Sequence, residues 1–143
     1  SGARDTGTFR LTNAQVTFTG EAAGDYAGRS VAMIPDMNGD GLTAEIIIGA
    51  DRNDGGTDLD AGKVYLIEGS ADWNTTTLTP IALSDAASHM TFTGENALDY
   101  AGYTVSAGDI SGDGRSDFLI GAYNYDASTS SPEHGKAYII LTE

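Results

Sequence analysis

The sequence predicts an all-β protein made of β-propeller blades, and three observations carry that reading. The chain repeats itself: Thr17-Phe18-Thr19-Gly20-Glu21 returns as Thr91-Phe92-Thr93-Gly94-Glu95, and Asp25-Tyr26-Ala27-Gly28 returns as Asp99-Tyr100-Ala101-Gly102. Each copy holds short apolar runs rich in β-branched residues, set between Gly-, Asn- and Asp-rich turns, as strands are. No window carries helical periodicity, because Gly, Thr, Asn and Asp interrupt every candidate. Several landmarks recur in the same order at a spacing of about 73 residues, which marks a duplication with small loop insertions.

The elements follow in order. Residues 8–19 read as an unattached strand whose Phe18-Thr19-Gly20 ending matches Phe92-Thr93-Gly94. Repeat 1 occupies 20–93 and repeat 2 occupies 94–143 of the 143 residues. Each repeat opens with a short strand of apolar or small residues, 29–34 and 103–107, that runs into an acidic loop. A continuous apolar run follows, 45–49 and 117–121, as in a strand buried on both faces. A third strand, 63–68 and 136–141, starts after Gly62 and Gly135. A fourth, irregular strand lies within 77–93, broken by Ser84-Asp85-Ala86-Ala87, and repeat 2 has no equivalent.

The N-terminal strand can therefore complete a blade in trans. Closed propellers use roughly 4–8 blades, so two cannot close a ring. A lone pair would leave blade faces and a sheet edge uncovered. The expectation is a homo-oligomer, a trimer or tetramer held by blade faces and strand exchange, or a ring completed by missing parts of a longer chain.

The acidic loops carry the chemistry. The second reads Asp109-Ile110-Ser111-Gly112-Asp113-Gly114-Arg115-Ser116-Asp117, and the first reads Asp36-Met37-Asn38-Gly39-Asp40-Gly41-Leu42-Thr43-Ala44-Glu45. Alternating oxygen-bearing side chains with glycines at the bends suit a hard cation that needs about six to eight oxygen ligands. Ca²⁺ is expected, two per chain. In the second loop the ligands are the side chains of Asp109, Ser111, Asp113 and Asp117 and the Arg115 carbonyl. In the first they are the side chains of Asp36, Asn38, Asp40 and Glu45 and the Leu42 carbonyl. One extra residue places Ala44 where an acidic ligand is expected and moves Glu45 one step on. Neither loop is an EF-hand, since Ile47 and Ile120 stand where a bidentate Glu would be needed. Mg²⁺ fits less well, because it demands rigid octahedral geometry.

Composition excludes other classes. A formal net charge of −14, with no basic stripe, argues against nucleic acid and anionic membrane surfaces. The absence of cysteine rules out disulfides and thiolate metal sites. No apolar run approaches a membrane span, so membrane insertion is not expected. Catalysis is not expected either: His89 and His134 lack assignable partners, and there is no nucleophile elbow, zinc helix or phosphate loop. Asp25 and Asp99 are expected to tie turns, Tyr26 and Tyr100 to pack between blades, and Trp73 to anchor a connection. The acidic loop 51–60 reads as solvated, and its counterpart, 123–134, mixes tyrosines with polar groups as recognition surfaces do.

The ordered set of Tyr-Ala-Gly, acidic loop, Ile-Gly-Ala and Gly-Lys-x-Tyr resembles the FG-GAP repeat of integrin α-subunit propellers and their bacterial relatives, over about residues 16–70 and 90–142. The chain departs from the family pattern where Asp51 and Tyr123 replace the Pro of Gly-Ala-Pro. The resemblance implies a propeller, Ca²⁺ in the loops between the first two strands of each blade, and non-enzymatic adhesion or recognition of a protein or glycan, outside the cell or at its surface. The alternative is a blade pair from a larger secreted enzyme of lipase or polysaccharide-degrading type.

Overall fold

In the computed structural model, residues 10–35, 37, 44–56, 58–70, 73, 80–85, 90–126 and 134–142 are described. Their strands are β1 (Phe18–Thr19), β2 (Ser30–Ile34), β3 (Glu45–Ala50), β4 (Lys63–Ile67), β5 (Ile81–Ala82), β6 (Met90–Thr93), β7 (Thr104–Gly108), β8 (Asp117–Ala122) and β9 (Lys136–Ile140). Among these residues helix is confined to 3-10 conformation, at Leu11–Asn13 and at Trp73. The all-β prediction holds.

Each repeat makes one antiparallel sheet. The first has the order β2-β3-β4-β6 and the second β7-β8-β9. Registers repeat with the sequence: Ile48 lies between Val31 and Tyr65, and Ile120 between Val105 and Tyr138. The middle strands β3 and β8 are mostly buried, which explains their unbroken apolar runs. Of the stretch 77–93 expected to hold a broken fourth strand, β6 pairs with β4 as the fourth strand, whereas β5 belongs to a separate two-stranded sheet and is followed by a turn at 83–85.

The N-terminal segment differs from its expected form. Of 8–19, only Phe18–Thr19 is strand among the described residues, and Leu11–Asn13 is a 3-10 turn. β1 pairs with β5, in parallel, Phe18 opposite Ile81. Leu11 is out of phase with the alternating Ala14, Val16 and Phe18, so one unbroken strand could not keep all of them on the same face.

Two cores form. Ile34, Ile47, Val64 and Leu66 of the first sheet meet Phe118 and Ile120 of the second, with Phe92 edge-on to Phe118 at 5.3 Å. On the opposite face of the first sheet, Ile48, Tyr65, Ile67 and Leu83 pack with Phe18 and Trp73, whose rings meet at 5.8 Å. Trp73 is thus the anchor the sequence implied.

The blades meet along a seam of main chain. Ala101 N–H donates to the Ala61 carbonyl and Gly94 N–H to the Gly62 carbonyl, both at 2.9 Å. Ser30 Oγ donates to the Gly102 carbonyl at 2.7 Å.

Candidate functional site

The acidic loop of the second repeat joins β7 to β8, closed by the pairing of Gly108 with Asp117. Asp117 begins β8 and is fully buried. Its Oδ2 accepts from the N–H groups of Ile110 and Ser111, each at 2.9 Å, and its Oδ1 accepts from Thr142 N–H at 3.0 Å. One carboxylate therefore fastens the loop to the chain just past β9. These N–H donors, Thr142 first, hold its carboxyl below the ordinary carboxylate range against the effect of burial.

The rest of the loop is exposed through Arg115. Asp109 accepts from Gly112 N–H at 2.6 Å and from Gly114 N–H at 3.0 Å, while Asp113 accepts from Arg115 N–H at 2.8 Å. Among the described residues, no three acidic or histidine side chains converge as a group that could hold a metal ion. Asp109, Asp113 and Asp117 share the loop, but each is turned toward N–H donors. A bound cation asks the exposed Asp109 and Asp113 side chains to rotate, with no core packing to oppose it.

In the first repeat, Glu45 begins β3, pairs with Ile34 and is 1% exposed. Its Oε2 accepts from Met37 N–H at 2.7 Å, the counterpart of the Ile110 bond to Asp117. The glutamate thus takes the place that aspartate holds in the second loop, its longer side chain spanning the extra residue. Glu45 Oε1 is buried and, among the described residues, has no hydrogen-bond partner. A buried carboxylate oxygen left in that state is costly, and a cation or a further donor relieves the cost. Asp36, Asn38, Asp40 and Leu42 lie outside the described residues. The oxygen-only chemistry of both loops and this orphaned oxygen fit a calcium-type ion.

At the other end of each blade is a polar clasp that sequence reading only half found. Asp25 and Asp99 are buried and accept from Ala22 N–H at 3.0 Å and Asn96 N–H at 2.8 Å, tying the turns as expected. Beside Asp25, Asn53 Nδ2 donates to Asp25 at 2.8 Å, and Lys63 pairs with Glu21 at 2.6 Å. Lys136 pairs with Glu95 in the same way. Both ion pairs join landmarks that recur together, so the duplication itself was the signal for them. Asp51 and Asn53 are buried, which corrects the solvated reading of 51–60 at these two positions. His134 is exposed, and His89 and residues 131–133 lie outside the described set.

The Lys136 bond is the main force holding the Glu95 carboxyl below its ordinary range. Its stabilising contribution is therefore complete above the unfolded value, about 4.3, and fades as pH falls through the lower folded value. An NMR titration should place the Glu95 midpoint below the usual range, and Lys136→Met should return it there.

Tyrosines line one edge of the blade pair. Tyr100 stacks on Tyr123 at 5.4 Å, and Tyr103 meets Tyr123 at 4.6 Å. Arg29 lies over Tyr103 at 4.6 Å, and Arg52 lies over Tyr26 at 5.1 Å and Tyr100 at 5.8 Å. Tyr26 is 55% exposed rather than packed between blades, because no blade lies on its side of the first sheet among the described residues.

In comparison with known families, residues 101–140 match the model of the FG-GAP repeat. The match spans β7, β8, β9 and the whole loop 109–117.

Proposed function

We propose that this FG-GAP repeat chain is a calcium-binding, non-enzymatic β-propeller module that acts in extracellular adhesion or ligand recognition and assembles with copies of itself. The observation that carries the metal reading is the buried Oε1 of Glu45, which has no partner among the described residues and stands where Asp117 stands in the other repeat. Asp109, Ser111, Asp113 and Asp117, with the Arg115 carbonyl, would hold one ion. Glu45 would hold the other together with Asp36, Asn38, Asp40 and the Leu42 carbonyl. A bound cation supplies charge neutralisation and cross-linking of the hairpin.

The chain's own residues set the rest. Asp117 ties the start of its loop through two N–H bonds and the segment after β9 through a third, so the strand ends are fixed and only exposed side chains need to turn. The net charge of −14 makes that neutralisation favourable for the folded state. The recognition reading is supported by the Tyr26, Arg52, Tyr100, Tyr123, Tyr103 and Arg29 strip, since Tyr and Arg are the residues enriched where proteins bind partners. A protein or glycan ligand fits that strip.

Titration calorimetry with CaCl₂ tests the metal reading. Two sites per chain are expected, with Kd about 10⁻⁴–10⁻³ M, as in extracellular calcium modules. Glu45→Gln should abolish one and Asp117→Asn the other. No calcium uptake by the folded wild-type chain at several millimolar would overturn it. Tyr123→Ala should leave calcium uptake unchanged and weaken any ligand found by glycan or protein screening, by a factor on the order of ten.

A further inference from the structure

We propose that residues 17–20 of one copy of this chain form the outermost strand of the second sheet of another, antiparallel to β9, with Phe18 opposite Ala137 and Thr19 opposite Lys136. The inference deepens the propeller reading above and rests on it.

The first sheet supplies the template. There β6 closes β4 with Phe92 opposite Val64 and Thr93 opposite Lys63. The second sheet has β9 where the first has β4, and among the described residues nothing pairs with its outer edge. The sequence twin of 91–95 is 17–21, and that twin is not paired to β9 of its own chain.

The twin is nevertheless already in place. Phe92 crosses from the last strand of its own sheet onto the core of the next, edge-on to Phe118. Phe18 packs on the first sheet in the corresponding way, in the core with Ile48 and Tyr65, as a last strand would if it belonged to a preceding blade. The ion pairs repeat the relation: Glu95 follows β6 and reaches Lys136 of the next sheet, and Glu21 follows β1 and reaches Lys63.

Among the described residues, the hydrogen-bonding edge of β1 is unpaired on the correct side. Ile81 N–H donates to the Thr17 carbonyl at 2.8 Å and Leu83 N–H to the Thr19 carbonyl at 2.9 Å. Main-chain groups alternate along a strand, so those of Phe18 point away from β5. Gly94 N–H bonds the Gly62 carbonyl, and by the same alternation the groups of Phe92 point at Val64.

Burial shows where each face is left uncovered. Val64 and Leu66 are 0% and 1% exposed, whereas their counterparts Ala137 and Ile139 are exposed, Ile139 at 52%. At the other end, Val31 and Met33 are 63% and 72% exposed, while their counterparts Val105 and Ala107 pack on the shared core. The first-sheet face that leaves Val31 and Met33 exposed is thus the homologue of the surface that covers Leu66, and the bare face of the second is the homologue of the surface so covered. The two fit each other head to tail, and a second copy carries both the matching face and the matching strand.

Cysteine pairing between separate chains tests this, and the native sequence has no cysteine to interfere. Thr19 and Lys136 would form a non-hydrogen-bonded pair, whose close spacing suits a disulfide. Thr19→Cys chains mixed with differently tagged Lys136→Cys chains should give a reducible heterodimer. Thr19→Cys mixed with Ile139→Cys, out of register and on the other face, should not. A folded chain that sediments as a single copy at every concentration, or equal cross-linking by both mixtures, would overturn the proposal. Running the mixtures beside the calcium titration separates the two readings. Cross-linking without calcium uptake removes the metal alone, and calcium uptake without cross-linking removes the strand exchange alone.

Discussion

Gly62→Ala is expected to destabilise the protein by about 4 kcal/mol, near the upper end of single-substitution effects and comparable to the stability of many domains. Gly62 has φ +87°, and a Cβ there would overlap the main chain of Ala101 in the neighbouring blade. The backbone conformation accounts for about 1 kcal/mol of that loss. The remainder comes from the overlap, because the obstructing atoms are backbone and cannot swing aside as a side chain would. Relieving it opens the seam that Ala101 N–H and Gly94 N–H close. Gly56→Ala is the control, since its φ is +105° but nothing lies within 4 Å of the added carbon. It should cost only about 1 kcal/mol. Urea unfolding of both variants measures the difference, and equal losses would show that the close approach of the blades contributes nothing.

Asp117→Ala should lower the melting temperature by about 10 °C even in chelator, because the buried N–H groups of Ile110, Ser111 and Thr142 lose their acceptor together. Asp117→Asn keeps one side-chain oxygen as acceptor and should fall between the variant and the wild type. Calcium then adds a second difference. A site filled at about 100 times its Kd stabilises the wild type by about 2.7 kcal/mol, and both variants should lose that increment for one site. Melts with and without CaCl₂ read both effects. A chelated Asp117→Ala melt that matches the wild type would show that the three hydrogen bonds are dispensable.

Strand positions were legible because the duplication fixes them twice. The runs at 45–49 and 117–121 are apolar throughout, and both became central strands, each one residue longer than expected. The turns held by Asp25 and Asp99 were legible for the same reason. Glu45 was harder. An insertion separates sequence spacing from spatial position, and only the burial of Glu45 opposite Ile34 shows that it stands where Asp117 does. The pairing of β1 with β5 was not legible at all. Thr17, Phe18 and Thr19 have the composition of a strand, but composition does not name a partner, and the parallel neighbour lies more than sixty residues along the chain. Tyr26 misled because its twin Tyr100 does stack, and a repeat unit at one end meets different surroundings from one inside an array.

The blade-to-blade seam is made of peptide groups, through Ala61, Gly62, Gly94, Ala101 and Gly102. The angular step from one unit to the next is therefore written in backbone geometry, at a few positions that tolerate almost no change. The exposed side chains of Arg52, Asp58 and Tyr123 stand apart from that step. Those positions can change without altering the pitch of the array, which leaves the surface free to diversify while the scaffold stays constant.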